Sequence, residues 1–162
     1  MRRLPVYLLV DTSGSMHGEA IESVRNGLQV MLSALMQDPY ALETAYLSVI
    51  AFDSSARQLT PLTELTSFQL PNLQANGMTA MGEALSLLAD CIQREVVKGS
   101  AEQKGDWKPV VFLLTDGAPT DVLDRGINAI RQVKTGTFVA CAAGPGADTG
   151  TLKRITETVV SL

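Results

Sequence analysis

The sequence lacks most of the features that would take it out of the class of ordinary globular domains. It has only two cysteines in 162 residues, too few for a small scaffold held together by disulfides. No stretch approaches the ~20 consecutive apolar residues that a membrane-spanning helix requires. Serine, proline and glycine never accumulate into a flexible linker or a disordered tail. Because 46% of the residues are hydrophobic, the chain can bury one core, and we expect a single domain over residues 1–162.

Charge is also scarce, and its balance is acidic. Charged residues make up 19% of the chain and the formal net charge is -4. A nucleic-acid surface needs a basic stripe to displace counterions from phosphates, whereas Lys and Arg are scattered here. Cys91 and Cys141 each lie in an apolar stretch, where a free thiol packs as a small hydrophobe. We therefore expect a cytoplasmic protein without nucleic-acid or membrane partners.

Short apolar runs alternate with longer stretches of helical period, which is typical of a parallel α/β sheet with helices on both faces. A short edge strand follows a sharp turn at Asp53 and forms a hairpin with its predecessor. The predicted strands are Leu4–Val10, Ala45–Phe52, Arg57–Leu62, Pro109–Thr115, Thr137–Ala142 and Thr158–Leu162. The predicted helices are centred on Ile21–Leu35, Met81–Val96, Asp121–Lys134 and Leu152–Ile155.

The last predicted strand, Thr158–Leu162, has nothing after it in the sequence that could cover one of its faces. A doubly wound domain normally adds a closing helix at this point. We therefore expect that the chain is a piece of a longer protein, or that a neighbour covers this strand.

Oxygen-bearing side chains follow the predicted strands at three places. Asp11, Ser13 and Ser15 come directly after the first strand, and Asp116 comes directly after the strand that ends at Thr115. Thr79 lies in a Gly-Met-Thr segment that leads into the second long helix. Open parallel sheets bind their ligands at the carboxyl edge of the strands, so these side chains are expected to meet there.

A divalent cation would explain this combination of groups. Two carboxylates ~4 Å apart repel by about 4 kcal/mol at an effective dielectric of ~20, and none of the three segments contains Lys or Arg. Asp, Ser and Thr are hard oxygen donors that suit Mg²⁺ or Mn²⁺, with Ca²⁺ less favoured and zinc poorly matched. Each segment alone has a plainer interpretation: a helix N-cap for Asp11 with its serines, an Asp-Gly turn for Asp116 and an N-cap hydroxyl for Thr79.

The segments VYLLVDTSGSM, NGMTAMGEAL and VVFLLTDGAPTD resemble the three motifs of the metal-ion-dependent adhesion site of von Willebrand factor type A domains. LSVIAFDSSARQLTPLTEL and the MGEAL helix are similar to the bacterial branch associated with tellurium resistance (TerY-like). The resemblance implies a doubly wound, Rossmann-type sheet of six strands in the order 3-2-1-4-5-6, with the third strand antiparallel. Strands one and four then flank the topological switch point, where ligands bind.

The resemblance also implies a role for each site residue. Ser13, Ser15 and Thr79 would contact the metal, and Asp11 and Asp116 would act directly or through water. A carboxylate from a protein partner would complete the coordination. The implied function is a metal-dependent interaction module without catalysis, in a cytoplasmic bacterial stress-response complex that includes kinase or phosphatase components.

Two other classes of function remain open on the residues alone. A metal-dependent phosphohydrolase could use His17, the only histidine, although its position also suits a solvent-facing residue in the first helical turn. A purely structural domain would use the metal only to stabilise its loops. Asp53 is expected in a turn or in support of the site, and Thr120 or Asp121 as the cap of the helix that follows them.

Overall fold

The computed structural model describes residues 2–100, 104–116, 119–144 and 147–161. Its strands are β1 (Leu4–Asp11), β2 (Ala45–Phe52), β3 (Ala56–Glu64), β4 (Val110–Thr115), β5 (Phe138–Ala142) and β6 (Thr158–Ser161). Its helices are α1 (Glu19–Met36), α2 (Pro39–Thr44), α3 (Met81–Glu95), α4 (Asp124–Arg131) and α5 (Thr149–Lys153). Single 3₁₀ turns lie at Gly14–Met16 and Leu65–Ser67. Within the described ranges, no helix has the length and apolarity needed to cross a bilayer.

The six strands form one sheet in the order β3-β2-β1-β4-β5-β6, which confirms the predicted topology. β3 pairs with β2 in the antiparallel sense, and every other neighbouring pair is parallel. β1 lies between β2 and β4, and the chain leaves β1 and β4 in opposite directions along the sheet. Because of this reversal, the loops after β1 and β4 open a crevice at the carboxyl edge of the sheet.

The sheet separates two apolar cores, as expected for helices on both faces. Side chains such as Leu9 and Phe52 pack with α3, α4 and α5 on one face. Side chains such as Leu8 and Val49 pack with α1 and α2 on the other. β1 and β2 are buried along nearly their whole length, and this double burial explains why their sequences are continuous apolar runs.

Each of the two apolar cores contains one cysteine. Cys91 packs with the α3 side of the sheet and Cys141 with the α1 side. Both thiols are free and buried. Burial raises the pKa of Cys91 to about 11 and also raises the pKa of Cys141. The sheet lies between them, and both stay protonated at neutral pH.

Several boundaries differ from the sequence prediction. α4 covers only Asp124–Arg131 and is shorter than the predicted Asp121–Lys134. It begins later because the Asp121 carboxylate accepts hydrogen bonds from the start of α3. The short helix α2 was not predicted, although Asp38 caps it through a bond from the Tyr40 N–H and Pro39 begins it, both ordinary start signals. The predicted last strand extends to Leu162, which lies outside the described residues.

β6 has one covered and one open face. Val159 packs against the core on the α3 side, whereas Val160, paired with Cys141 in the neighbouring strand, is 45% exposed. The face that the sequence left without a covering element is therefore open to solvent in this structure.

Candidate metal centre

Asp11 is the last residue of β1, and it is completely buried. Its Oδ1 accepts a hydrogen bond from the Ser13 backbone N–H at 2.9 Å, and its Oδ2 accepts one from the Thr115 hydroxyl at 2.6 Å. Thr115 ends β4, so this second bond crosses the switch point between the two strands. Both oxygens are thus held in place by neighbouring loops before any ligand arrives.

Ser13 and Ser15 bring two hydroxyl groups together beside Asp11. Ser13 is buried and Ser15 is exposed, and their Oγ atoms lie 3.0 Å apart. Ser13 is the N-cap residue of the 3₁₀ turn at Gly14–Met16, and Ser15 lies within that turn. One hydroxyl therefore belongs to the interior and the other faces solvent.

The segment that carries Thr79 is bonded directly to this turn. Asn76 donates its N–H to the Thr12 carbonyl, and the Gly77 carbonyl accepts from the Gly14 N–H, both at 2.8 Å. Gly77 has a φ of 80°, a backbone conformation that glycine adopts without strain. A Cβ at Gly77 would lie 2.6 Å from the Ser54 Oγ, so the Ser54 side chain, which accepts the Met78 N–H, would have to move. These contacts place Thr79, which is only 3% exposed, in the loop next to the two serines.

Thr79 is in turn joined to the segment after β4. Its N–H donates to the Thr120 Oγ1, and its carbonyl accepts from the Thr120 N–H, both at 2.9 Å. The neighbouring Asp121 accepts from the N–H groups of Gly82 and Glu83 at 2.9 and 3.0 Å. The prediction that Thr120 or Asp121 caps the following helix is therefore wrong. Asp121 caps α3 instead, since the fold brings it to the unpaired amides at the start of that earlier helix.

Asp116 follows β4 directly and is half-buried. Its carbonyl accepts from the Asp148 N–H at 2.7 Å. Burial raises the pKa of Asp11, and the negative charge of Asp116 adds to this increase, whereas the hydrogen bonds from Ser13 and Thr115 oppose it. The Asp116 charge thus adds to the cost of ionising the buried Asp11. Gly117, the turn residue predicted after Asp116, lies outside the described residues.

Asp53 and His17 have supporting or peripheral positions. The Asp53 carboxylate accepts two bonds of 3.1 Å from the Arg57 guanidinium, and its Oδ2 lies 3.4 Å from the Thr12 hydroxyl. Burial alone would raise the pKa of Asp53, but the bonds and charge of Arg57 hold it below its usual value. Asp53 also takes part in its own turn, with the Ser55 N–H 3.4 Å away. His17 is exposed at the end of the 3₁₀ turn.

With this geometry established, comparison with known proteins identifies the family. The family model of the von Willebrand factor type A domain matches residues 6–159, which is nearly the whole chain. The chain belongs to this family. The sequence resemblance at the family level is thereby confirmed, and the six-stranded sheet with its antiparallel third strand is the fold of a von Willebrand factor type A domain.

Individual relatives have low sequence identity to this chain. An uncharacterized protein of Synechocystis sp., sll0103, is 32% identical over 123 residues, which are 72% of this chain but only 26% of that protein. The chain thus spans about a quarter of the length of this relative. A structure described as manganese-loaded Plasmodium vivax TRAP protein has a TM-score of 0.71 at 18% identity, covering 99% of this chain and 68% of that one. Proximal thread matrix protein 1 from the mussel byssus, described with a zinc-occupied MIDAS motif, has a TM-score of 0.65 at 17% identity over 99% of this chain and 41% of that one. At these identities the structures show a shared fold.

The donor set of this von Willebrand factor type A domain suits a hard divalent cation. In the part of the chain that the structure describes, no three or more His, Cys, Asp or Glu side chains group together as metal ligands. The candidate donors are instead two carboxylates, those of Asp11 and Asp116, with serine and threonine hydroxyls, and these hard oxygen groups suit such an ion. The Ser13 and Ser15 hydroxyls are hydrogen-bonded to each other at 3.0 Å, so both are close enough to contact one ion. The assignment of all five ligands remains a prediction.

Sequence reasoning missed several residues that shape the centre. Thr115 positions Asp11, Ser54 accepts the Met78 N–H at 3.1 Å, and Thr120 accepts the Thr79 N–H. Each of these side chains comes from a loop or strand end that is distant in sequence from its partner. Only the position of Thr115, the last residue of an apolar strand next to Asp116, gave a signal that could have identified it.

Proposed function

We propose that this domain is a metal-dependent protein-interaction module. One divalent cation would be held by Ser13, Ser15 and Thr79, with Asp11 and Asp116 supplying the negative charge. When bound, the cation supplies a positive centre with a coordination position for an acidic side chain of another protein. The chain's own residues hold this centre in shape, since Asp11 is fixed by Thr115 and by the Ser13 N–H.

The observation that carries this proposal is the pair of serine hydroxyls beside a buried carboxylate, hydrogen-bonded to each other at 3.0 Å, one in a buried and one in an exposed residue. A buried carboxylate without a cationic partner costs several kcal/mol unless its charge is neutralised or its hydrogen bonds are strong. Asp11 has two hydrogen bonds and feels the added repulsion of Asp116. A cation between these groups would remove the repulsion, and the exposed Ser15 side of the centre leaves it open to a partner.

The chemistry of the ligands favours Mg²⁺ or Mn²⁺ for this centre. Serine, threonine and aspartate oxygens match these hard ions, whereas Ca²⁺ usually takes more carboxylates and more ligands. The related TRAP structure is described as manganese-loaded and the mussel protein as zinc-occupied. The same fold therefore accepts different divalent ions elsewhere, and we expect Mg²⁺ to bind here because the centre has neither Cys nor His among its proposed ligands.

The experiment that tests the metal assignment is a calorimetric titration of Mg²⁺ and Mn²⁺ into wild-type protein and a Ser15→Ala variant. Ser15 is exposed, so its replacement should leave the free energy of unfolding within about 0.5 kcal/mol. Loss of one ligand should weaken metal affinity by about tenfold or more. Ser33→Ala, an exposed serine on α1, is the matched control and should bind metal as wild type does. Equal affinities in all three proteins would remove Ser15 from the site.

An Asp11→Asn variant separates an interaction module from a domain in which metal serves only to stabilise loops. Asparagine can still accept the Ser13 N–H and can reach the Thr115 hydroxyl, so the fold should persist. We expect metal-dependent partner capture to be lost. Capture that survives, together with a lower melting temperature, would instead support a structural metal.

We expect no catalysis at this centre. His17 is exposed at the end of the turn, and no hydrogen bond from its side chain to an acidic residue is found among the residues described. The direct check is incubation of the Mg²⁺-loaded protein with a generic phosphomonoester. Steady release of phosphate above that of the Asp11→Asn variant would favour the phosphohydrolase hypothesis.

We further propose that the domain works in a cytoplasmic stress-response complex connected with tellurium resistance and with kinase or phosphatase partners, on the basis of its TerY-like segments. The two free, buried cysteines are compatible with a reducing compartment. A pull-down from the source cell with and without chelator, repeated with Asp11→Asn, would identify the partner. Capture that ignores the chelator would contradict the metal-dependent mechanism.

A further inference from the structure

A cavity opens at the amino-terminal edge of the sheet, at the other end of the strands from the candidate metal centre. Its volume is about 470 Å³, which is within the range of small-molecule sites in proteins. The walls come from the end of α3 with the turn after it, from the segment that leads into β4, and from the residues that follow α4. Each of these three places contributes one lysine to the lining: Lys98, Lys108 and Lys134.

Lys98 lies in a turn whose backbone is fixed. The Val97 N–H donates to the Asp106 carboxylate, and the Asp106 N–H donates to the Val97 carbonyl, both at 2.8 Å. A Cβ at Gly105 would lie 2.3 Å from the Gly99 nitrogen, so the two segments pack directly against each other. These contacts hold the turn that carries Lys98 beside the segment that leads into β4.

A second backbone contact joins the segments of Lys108 and Lys134. The Gly136 N–H donates to the Pro109 carbonyl at 2.9 Å. A Cβ at Gly136 would lie 3.2 Å from the Lys108 carbonyl oxygen, so the chain after α4 runs close against the start of β4. Tertiary contacts thus bring three lysines from distant parts of the sequence to one cavity.

The lining is positive although the chain is acidic overall, with a formal net charge of -4. Among the described residues that line the cavity, the one acid is Asp106. Its carboxylate lies 2.6 Å from the Arg3 guanidinium, so its charge is already offset. The three lysine charges therefore have no acid of the lining left to neutralise them.

Lysines near the carboxyl ends of helices also have a plainer role, because they interact favourably with the helix dipole. Lys98 follows the end of α3, and Lys134 follows the end of α4. Each helix end carries about half a negative charge, so the two ends together offset about one of the three lysine charges. Lys108 follows no helix, since it precedes β4. About two positive charges therefore remain for a ligand.

An apolar wall lies beside the lysines. Val97, which is 42% exposed, belongs to this wall. The other apolar side chains of the lining are Ile92, Val96, Pro109 and Val133, together with the indole of Trp107. An inorganic anion would contact the lysines and leave the wall in water. A ligand complementary to both parts has an anionic group and an apolar body.

We infer that this cavity binds a small organic dianion, such as a phosphomonoester, with its charged group toward the lysines and its apolar body toward the Val97 wall. A phosphomonoester carries about 1.5 to 2 negative charges at neutral pH, which matches the charge that the helix ends leave uncompensated. Lysine ammonium groups bind phosphate as point charges. The cavity is separate from the candidate metal centre, so binding needs no Mg²⁺ and the inference is independent of the proposed function.

The test is a calorimetric titration of the full chain with phenyl phosphate, inorganic phosphate and phenol, at low ionic strength and with a chelator present. We expect phenyl phosphate to bind about tenfold more tightly than either of the other two compounds. Its affinity should fall as salt is added. Trp107 is the only tryptophan and lines the cavity, so its fluorescence should change over the same range of phenyl phosphate concentration.

Two variants separate the charges from the apolar wall. Lys108→Gln with Lys134→Gln removes two charges at exposed positions and should weaken phenyl phosphate binding about tenfold or more. Arg125→Gln with Lys153→Gln removes two exposed charges outside the cavity and is the matched control, which should bind as wild type does. Val97→Ser should reduce the preference for phenyl phosphate over inorganic phosphate about threefold. All these positions are exposed, so urea denaturation should give wild-type curves.

The inference is wrong if phenyl phosphate does not bind, or if the lysine variant and its charge-matched control lose affinity equally, because the lysines of the cavity would then have no special role. Equal affinities for phenyl phosphate and inorganic phosphate would overturn it as well, since the apolar wall would contribute nothing. Binding that requires Mg²⁺ would assign the ligand to the metal centre and would also contradict it. Failure of Mg²⁺ to bind, by contrast, would bear on the proposed function alone.

Discussion

At the amino-terminal edge of the sheet, the Asp106 carboxylate accepts hydrogen bonds from the Arg3 Nε at 3.0 Å and from its Nη2 at 2.6 Å. At the carboxyl-terminal edge, Asp11 is more deeply buried, and the hydrogen bonds that the described residues give its carboxylate come from Ser13 and Thr115. Among the described residues, Asp106 forms an ion pair and Asp11 forms none. A ligand charge therefore has a place beside Asp11, whereas Arg3 already offsets the charge of Asp106.

The Glu95 carboxylate, in the amino-terminal half of the sheet, is engaged by hydrogen bonds from β1 and β3. Its carboxylate accepts from the Tyr7 hydroxyl, the Gln58 amide and the Leu62 N–H, each at 3.0 Å. Burial, aided by the charge of Glu95, raises the pKa of Tyr7 well above its usual value, so its phenol stays a donor. These bonds join α3 to β1 and to the edge strand β3. Asp106 and Glu95 therefore serve stability, as Asp53 and Asp121 do at the carboxyl edge, where Asp11 and Asp116 are the acids that we propose for the metal.

The largest expected effect comes from removing Glu95. Glu95→Ala removes an acceptor from the buried Tyr7 hydroxyl and from the half-buried Gln58 amide and Leu62 N–H. The Tyr7 hydroxyl keeps a 3.5 Å contact with the Cys91 carbonyl, and the Gln58 amide keeps its bond to the Ser48 Oγ. Unsatisfied buried donors cost about 1–3 kcal/mol each, so we expect a loss of about 3 kcal/mol in the free energy of unfolding after partial rescue by these bonds and by water. Urea denaturation measures this loss, and Mg²⁺ affinity of the folded variant should remain that of wild type.

Glu95→Gln is the matched control for this experiment, because it keeps one acceptor oxygen and the length of the side chain. It should lose clearly less stability than the alanine variant. A Glu95→Ala protein that stays as stable as wild type but loses Mg²⁺ binding would break the comparison, since the two edges would then not have separate roles.

Much of the carboxyl edge could be predicted from the sequence, because it follows from local patterns. The buried strands are continuous apolar runs, and Asp11 and Asp116 come directly after two of them. The carboxyl edge and its candidate ligands follow from that placement. The resemblance of three motifs then supplied the strand order, which local patterns cannot determine.

The parts that could not be predicted depend on contacts between distant segments. Asp121 looks like the cap of the next helix, yet it caps α3, because the fold brings it next to Gly82. Glu95 is one charged residue near the end of an amphipathic helix, and its sequence neighbours do not reveal that Tyr7 and Gln58 reach it. Tertiary packing chooses such partners among many equivalent polar residues.

A second and smaller effect is expected from a change inside the carboxyl edge. Gly77→Ala introduces a Cβ 2.6 Å from the Ser54 Oγ at a φ of 80°, so the loop of Thr79 must shift or strain. We expect a loss of about 2 kcal/mol in stability, together with weaker Mg²⁺ binding in calorimetry. Gly18→Ala is the control, because its φ is 88° but a Cβ there meets nothing within 4 Å. Its ψ of -128° makes this backbone strained for alanine as well, so the variant should lose about 1–3 kcal/mol while leaving Mg²⁺ affinity less affected. Identical metal affinities in the two variants would show that the Gly77 contacts do not shape the centre.

The smallest expected effect concerns the ion pair between Arg3 and Asp106, and it appears in the pH dependence of stability. Burial alone would raise the pKa of Asp106, but the bonds from Arg3 and the Val97 N–H outweigh it and leave the pKa below its usual value. A carboxylate whose pKa is lowered by folding stabilises the protein above its unfolded pKa of about 3.9, and this contribution disappears as the pH falls through the folded value. Asp106→Asn should therefore cost about 1 kcal/mol between about pH 5 and 7. Its deficit against wild type should shrink below about pH 4, which urea denaturation across that range measures. A deficit that stays constant down to the lowest pH would mean that the Asp106 charge contributes nothing to stability. The contrast between Asp106, paired with Arg3, and Asp11 would then lose its basis.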